Sequence, residues 1–392
     1  MALVLARRKP EPADGRGLDR QAQDAGRHAD APAVSALLST LATTATKGAF
    51  ALGLRLMAID GTLDEVPDTP ENVQHFGRLT SGPSQSAYPQ VRCLFLLEIG
   101  TNAIIDAIAA RCLASEQALA NALLPSIEKG MLLMSDRNFF SLNWIVSVKQ
   151  RGTHVLCRLA SGLLTQPSQR LADGSYLVRI SRKGQDPLVV RVIEYWLHPL
   201  LAADLALLPS SRSANPAKPG QKHRLLTTLL DPTTAPALEL IQLYHERWEI
   251  ELSIDELKIH QRLSPRPLRS QSPAFVYQEF YGLLLAHYVV RAWMHEAACK
   301  AELDPDRLSF THALHVLDTA CFEFTLLDAS EHPRLRAHVL AELAAPRFLL
   351  PARRLRFCPR VIKAPFSHFR RKHPWHPSYH FKGYRFVDLL LI

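Results

Sequence analysis

The sequence lacks several features by which common classes of protein are recognised. None of its six cysteines forms a C-x-x-C pair, which argues against zinc ribbons and disulfide scaffolds and favours reduced thiols in a cytosol. No apolar run reaches the roughly 18 residues of a membrane span, and the N-terminal MALVLARRKPEPADG becomes charged before a signal-peptide core develops. Glycine (17) is scarcer than proline (27), and there is no internal repeat. These absences predict a soluble, cytoplasmic globular protein.

The composition supports a large folded domain with a slight preference for polyanions. The chain has 392 residues, 47% of them hydrophobic, which is enough for one large or two ordinary cores. Lysine and arginine outnumber aspartate and glutamate by 46 to 37, so the formal charge is +9. Such an excess favours a nucleic-acid partner but is weak support by itself.

The pattern along the chain predicts a mixed α/β fold. Strands are expected at ALGLRLMAID, VRCLFLLEIG, TNAIIDAIAA, MLLMSD and HVLCRLA, with helices at SEQALANALLPSIEKG and SLNWIVSVKQRG. The stretch between the first two strands is rich in Pro, Ser and Gly and is expected to be a loop. The expected domains are a disordered, truncated or atypical segment 1–48, a core 49–164, a β-rich insertion 165–235, helices 236–345 and a basic tail 346–392.

Two of the predicted strands end in an aspartate. Asp60 closes LRLMAID and Asp136 closes GMLLMSD. A carboxylate at the end of a buried strand is costly to desolvate, so it is expected to lie at an opening, in an ion pair or on a cation. Capping of the following turn is the simpler alternative for each residue taken alone.

A predicted helix over Leu243–Gln261 carries an unusual polar stripe. At 100° per residue, Tyr244, Arg247, Glu251 and Lys258 lie at about 0°, −60°, −20° and −40°. An apolar stripe beside it contains Leu243, Ile250, Ile254 and Leu257. A surface ladder of ion pairs is one interpretation of the polar stripe. The other is a site in which Glu251 joins the two aspartates.

Three carboxylates on two strands and one helix suit hard divalent cations. Mg²⁺ prefers oxygen ligands, and two such ions can clamp the attacking and leaving oxygens of a phosphoryl transfer. Arg247 and Lys258 are then suitable partners for phosphate oxygens.

The spacing Tyr244-x₂-Arg247-x₃-Glu251-x₆-Lys258 resembles the Y-(2)-R-(3)-E-(6)-K signature of DDE transposases of bacterial insertion sequences, family four. The flanking AIDGT, SDRNFFS and YQEFYGLLLAHYVVRAWMHEA are also similar, and the resemblance covers roughly residues 50 to 372. It implies an RNase H-like catalytic core with an all-β insertion before the helix that carries the catalytic glutamate. It also implies strand cleavage and strand transfer at the ends of a mobile element, with two Mg²⁺ ions or Mn²⁺ as a substitute. The partners implied are double-stranded DNA and a second copy of the chain.

The resemblance assigns roles to residues of this sequence. The metal ligands and catalytic residues would be Asp60, Asp136 and Glu251. The contacts to DNA near the scissile phosphate would be Tyr244, Arg247 and Lys258. Family members usually carry a substantial N-terminal domain, whereas 59 residues precede Asp60 here. A degenerate remnant that binds DNA without transposing, and a host nuclease on the same scaffold, are therefore alternatives.

Several other residues have two interpretations each. Trp248 and Trp196 could stack on a displaced base, but a position in the core is the favoured interpretation of each. The tail from Arg353 to Arg385 has ten Lys or Arg and no acidic residue, so it could bind phosphates or be a solvated tail. Its histidines are too widely spaced to predict a zinc site. Asp64, Glu65 and Asp68 are expected to be solvated.

Overall fold

The computed structural model describes residues 37–81, 84–139, 141–159, 166–182, 185–197, 222–262, 267–352, 354 and 390–391. Its strands are β1 (Phe50–Ala51), β2 (Leu54–Glu65), β3 (Thr80–Ser81), β4 (Ser84–Gln85), β5 (Gln90–Glu98), β6 (Ala103–Arg111), β7 (Met131–Ser135), β8 (His154–Arg158), β9 (Gln169–Arg170), β10 (Tyr176–Arg182), β11 (Gln185–Leu197), β12 (Lys222–Thr227) and β13 (Leu390–Leu391). Its helices are α1 (Pro70–Phe76), α2 (Glu116–Ala122), α3 (Leu142–Gln150), α4 (Ala237–Glu246), α5 (Glu249–Asp255), α6 (Pro273–Lys300), α7 (Phe310–Leu326) and α8 (His332–Leu343).

One large mixed sheet organises the described residues. Its strand order is β6-β5-β2-β7-β8-β12-β11-β10-β9, with β1 beside β2 and β13 beside β11. The central strands β2, β7 and β8 are parallel, and the strands on either side of them are antiparallel. Strands β9 to β12 therefore continue the same sheet as the core strands. The mixed α/β class predicted from the sequence is confirmed.

Side-chain alternation gives the sheet two buried faces. On β2, Leu56 and Ala58 belong to one cluster, and Met57 and Ile59 belong to the other. Helices α4, α5 and α6 cover the first face, and α2 and α3 cover the second. Helix α3 begins where predicted, because the Ser141 side chain accepts the N–H of Trp144. A third cluster joins the C-terminal half of α6 to α7 and α8.

The loop predicted after Asp60 is wrong in three places, one of which is the short antiparallel pair of β3 with β4. Strand β2 continues to Glu65, paired with β5 as far as Gln90. The short helix α1 follows, capped by Thr69 and with proline at its first position. A run rich in turn residues can still form a strand when a distant partner strand satisfies its backbone.

The segment before β1 packs on the folded body from residue 37 onwards. The buried Glu98 carboxylate accepts the backbone N–H groups of Leu41 and Ala42, both at 2.9 Å, and pairs with Arg55. The disorder predicted for residues 1–48 remains a prediction for residues 1–36, which lie outside the described residues. The five cysteines in described ranges are free thiols. No helix in those ranges is long and apolar enough to span a bilayer.

Candidate active site

Asp60 and Asp136 lie on the same face of neighbouring parallel strands. The parallel pairing of β2 with β7 ends at Ile59 opposite Ser135, and each aspartate is the next residue. By alternation Asp60 shares a face with Leu56 and Ala58. Asp136 continues the face of Leu132 and Met134. Both carboxylates therefore lie on the face that α4, α5 and α6 cover.

Asp60 was predicted to end its strand, and this is wrong, because β2 continues to Glu65. Asp60 lies instead at the point where the neighbouring strand β7 stops. Beyond Ile59, β2 is still paired with β5 but no longer with β7. Asp60 therefore has a paired neighbouring strand on one side only. Asp60 Oδ1 accepts the N–H of Gly61 at 2.8 Å, and Asp136 Oδ1 accepts that of Arg137 at 2.7 Å. A local cap thus satisfies one carboxylate oxygen of each aspartate, but Asp60 Oδ2 has a further partner.

That partner comes from a helical segment that is interrupted rather than continuous. Helix α4 ends at Glu246, α5 begins at Glu249, and a π-helical turn occupies Glu256–His260. Across the junction the backbone bonds run from residue i to i−3, as from Arg247 to Tyr244 (3.3 Å) and from Glu251 to Trp248 (3.0 Å). The single helix predicted over Leu243–Gln261 is wrong in this respect. Its apolar stripe is confirmed, because Ile250 and Leu257 are buried and Leu243 and Ile254 pack against the core.

Arg247 links two of the three predicted carboxylates. Its Nη1 lies 3.0 Å from Asp60 Oδ2, and its Nη2 lies 3.6 Å from Glu251 Oε1. The guanidinium carbon is 5.7 Å from the Tyr244 ring centre and 5.4 Å from that of Trp248. The Arg247 side chain is only 7% exposed, against 41% for Glu251. Its Nε has no hydrogen-bond partner among the described residues.

The other residues of the signature point in different directions. Tyr244 is buried, and its hydroxyl donates to the Ser135 carbonyl at 3.3 Å. The hydroxyl thus ties α4 to the end of β7. Lys258 Nζ donates to Thr62 Oγ1 at 3.1 Å and to the Leu63 carbonyl at 2.7 Å. Trp248 is 39% exposed, so it is not a core tryptophan.

The helical segment contacts β2 through a row of three basic side chains. Asp60 pairs with Arg247, Thr62 accepts from Lys258, and Asp64 pairs with Arg262 at 2.6 Å. The three β2 residues alternate onto one face, which explains their common direction. Asp64 was expected to be solvated, and this is wrong, because its side chain is only 15% exposed in the pair with Arg262. Arg262 had no place in the signature.

Burial governs the electrostatics of this row. It raises the pKa of Asp60 above its ordinary value, while Arg247 lowers that pKa and Asp136 raises it again. The influence of Asp136 is consistent with the two carboxylates being near each other. Burial likewise raises the pKa of the Tyr244 hydroxyl, which keeps it a neutral donor. A carboxylate with a raised pKa binds a proton more readily, so any added cation competes with protons at low pH.

The three carboxylates do not form a ready-made metal cage. In the described ranges, no group of three or more His, Cys, Asp and Glu side chains is placed to hold a metal ion. Arg247 lies between Asp60 and Glu251 and offsets their negative charges with its own positive charge. The donor chemistry nevertheless suits a hard cation, since all three groups are carboxylates and two lie on adjacent strand positions.

Sequence reasoning missed a buried ionic network behind the segment. Glu256 accepts from Arg291 Nε at 3.0 Å and from His287 Nε2 at 3.3 Å. A signal was present in the sequence, because His287 and Arg291 are four apart in the mostly apolar middle stretch of α6. Trp196 is an even number of residues from Val190 and Val192, so it lies on the same sheet face as they do, opposite the aspartates. Of the basic stretch from Arg353 to Arg385, only Arg354 lies among the described residues.

Comparisons with known proteins identify the family. The family model of the transposase DDE domain matches residues 52–289. Transposase InsG for insertion sequence element IS4 of Escherichia coli (strain K12) is 31% identical over 318 residues, which are 79% of this chain and 68% of InsG. InsZ of the same strain, provisionally named as a transposase, is 34% identical over 101 residues, or 26% of this chain and 34% of InsZ.

A solved structure gives a weaker likeness. The cryo-EM structure of a piggyBac transposase synaptic complex with hairpin DNA matches with a TM-score of 0.41 and 12% identity, over 76% of this chain and 58% of that chain. At that level it carries no argument about this fold. The family match and the alignment with InsG are sufficient, and they confirm the resemblance drawn from the four-residue signature. The chain therefore belongs to the DDE transposases of the IS4 type, enzymes of DNA transposition that cleave and transfer DNA strands.

Proposed function

We propose that this chain cuts DNA at the ends of its own insertion sequence, on an RNase H-like core in which Asp60, Asp136 and Glu251 hold two Mg²⁺ ions. The supporting observation is that Asp60 and Asp136 lie on one face of adjacent parallel strands, beneath the segment that carries Arg247 and Glu251. Divalent metal use is a general property of the family, and Mn²⁺ is expected to substitute.

The three carboxylates would act together as ligands. When bound, the ions would lower the pKa of an attacking water and stabilise charge on the scissile phosphate. Asp60 and Asp136 need little movement for this role, because the sheet fixes their backbone. The Glu251 side chain is 41% exposed against 23% for Asp60. Its helix is held at one end by Asn102, which donates to Glu249, and just beyond the other end by the pair of Glu256 with Arg291.

Arg247 would exchange partners when DNA binds. In the free protein it neutralises Asp60 and Glu251. A phosphate group offers the same guanidinium two oxygens in a matching geometry. The Nε, which has no hydrogen-bond partner in the part of the chain that the structure describes, adds a donor that a phosphate oxygen could satisfy. Binding of cations to the carboxylates would therefore be complementary to binding of a phosphate group to Arg247.

The other signature residues would divide the remaining work. Lys258 would leave Thr62 for a backbone phosphate, as a point charge. Trp248, exposed beside Arg247, could stack on a base near the cut. Tyr244 would hold α4 on β7 through Ser135 and contact DNA at most with its ring edge. Strands β9 to β12 would form the insertion that the resemblance implies, and two copies of the chain would act on paired ends.

A second candidate function is DNA binding without strand cleavage. It is favoured by the Arg247 ion pairs and by the lack of a three-carboxylate cage among the described residues. In that case the carboxylates would stay neutralised by Arg247 even in the presence of metal and DNA.

Cleavage of the native substrate separates the two. The full chain would be incubated with Mg²⁺ and duplex DNA carrying the inverted repeats that flank its own gene. Asp136→Asn should lose cleavage while DNA affinity changes less than about twofold, since one neutral ligand cannot hold the ion. Asp255→Asn is the matched control, because it makes the same chemical change at an exposed aspartate that pairs with His260 on the segment carrying Glu251. Wild-type protein that binds the ends without cutting them would favour the second function.

A further inference from the structure

A buried charge, Glu256, holds the segment that carries Glu251 and Lys258 on the side that faces α6. Glu256 lies between them in sequence, at the start of the π-helical turn. Residues two positions apart on a helix point to nearly opposite sides. Accordingly Lys258 reaches β2, whereas Glu256 reaches α6.

The partners of Glu256 enclose it almost completely. Arg291 pairs with both of its oxygens, through Nε at 3.0 Å and through Nη2, and His287 donates from Nε2 at 3.3 Å. The Arg291 and His287 side chains are 2% and 0% exposed. The Phe310 ring of α7 closes the other side, 5.3 Å from the Arg291 guanidinium carbon. Burial raises the pKa of Glu256, but Arg291 and His287 together hold it below its ordinary value, so the carboxyl is ionised.

Stability alone is a poor explanation for such a pair. Replacing a buried ion pair by apolar side chains of similar volume is often neutral or stabilising, whereas removing one partner is costly. What an ion pair adds is a defined geometry, because the planar guanidinium accepts the carboxylate in one orientation. Gln261 adds a second tie to α6, donating to the Leu283 carbonyl at 2.8 Å. The π-turn is thus fixed in register as well as in position.

We propose that Glu256 and Arg291 are positioning residues for the transposase site, and this rests on the function proposed above. Their ion pair holds the segment from Glu251 to Lys258 against α6. Glu251 is thereby presented to Asp60 and Asp136, and Lys258 to the phosphate backbone. The contact with Phe310 extends the clamp to α7, so the C-terminal helices support the site without touching it.

The test compares stability with metal affinity and cleavage in the full chain. The variants are Glu256→Gln, Arg291→Met and the double variant Glu256→Met with Arg291→Met. Glu98→Gln is the control for lost stability, because Glu98 is a fully buried carboxylate that pairs with Arg55 of β2 rather than with the segment from Glu251 to Lys258. Unfolding by urea, Mn²⁺ binding by electron paramagnetic resonance and cleavage of element-end DNA are measured for each. Asp136→Asn identifies the Mn²⁺ that belongs to the site.

The single variants should lose about tenfold in Mn²⁺ affinity and about a hundredfold in cleavage, as expected for groups that orient metal ligands. Glu98→Gln should lose stability while its metal affinity stays within about twofold. The double variant should regain stability but neither metal affinity nor cleavage.

Recovery of all three properties in the double variant would overturn the inference, as would single variants that behave like Glu98→Gln. Wild-type protein without Asp136-dependent Mn²⁺ binding would overturn the proposed function and this inference with it.

Discussion

Replacing Arg247 by methionine tests the ion pairs at the centre of the site. Methionine keeps an unbranched side chain between the rings of Tyr244 and Trp248 but removes the charge. The change therefore leaves Asp60 without its partner at 3.0 Å and Glu251 without its partner at 3.6 Å. Its effect on folding is independent of metal and DNA.

The expected loss in the free energy of unfolding follows from how far the Arg247–Asp60 pair is buried. Loss of one partner from a fully buried ion pair costs about 3–5 kcal/mol. The Arg247 side chain is 7% exposed but that of Asp60 is 23% exposed, so water can partly replace the guanidinium. We expect the free energy of unfolding to fall by about 3 kcal/mol at pH 7. Arg336→Met is the control, because its pair with Glu296 is exposed on both sides, and it should cost less than about 1 kcal/mol.

The loss should depend on pH in a defined direction. Burial already raises the pKa of Asp60 in the folded protein, and Arg247 opposes that rise. Without Arg247 the pKa rises further, so the folded state binds the proton more tightly than the unfolded state. The variant is then relatively stabilised as pH falls through that pKa. The difference from wild type should shrink between pH 7 and pH 4.5.

Urea unfolding at the two pH values measures this directly, provided that the dependence on denaturant is the same for both proteins. A difference in free energy that is equal at both pH values would show that the Asp60–Arg247 pair does not carry the effect. A variant as stable as wild type at pH 7 would refute the reasoning about burial altogether.

Two further substitutions test the division of roles within the signature. Lys258→Met should reduce by about 1 the slope of log affinity against log salt for duplex DNA, because one phosphate contact is lost; an unchanged slope would count against that contact. Tyr244→Phe should lower the free energy of unfolding by about 1 kcal/mol, since it removes the bond to the Ser135 carbonyl. It should leave DNA affinity unchanged, and a large loss of affinity would instead make the hydroxyl a DNA contact.

Local patterns in the sequence predicted most of the core. Strands β5 to β8 and helix α3 follow from alternation and apolar runs. The aspartates could be recognised because a carboxylate after a buried run is unusual whatever the fold. The two aspartates share a face because of the parallel register of β2 with β7. That register is a pairing between distant segments, so it cannot be predicted from either strand alone.

The errors share one physical cause. Strand β2 extends past Asp60 because β5 supplies hydrogen bonds to a Gly-Thr sequence that looks like a turn. The helix is interrupted at Arg247 and Trp248 and becomes π-helical at Glu256, although the polar and apolar stripes of the sequence fit one continuous helix. These features depend on contacts with β2 and α6. Periodicity describes one segment at a time and cannot anticipate them.

The meeting of Asp60, Asp136 and Glu251 at one metal site is most directly tested by iron-mediated backbone cleavage. Fe²⁺ replaces Mg²⁺ in the full chain, and ascorbate with peroxide generates radicals that cut the polypeptide near the bound ion. Fragments ending near residues 60, 136 and 251 are predicted, all suppressed by excess Mg²⁺ and by Asp136→Asn. Cuts near residues 60 and 136 without one near 251 would contradict the shared site.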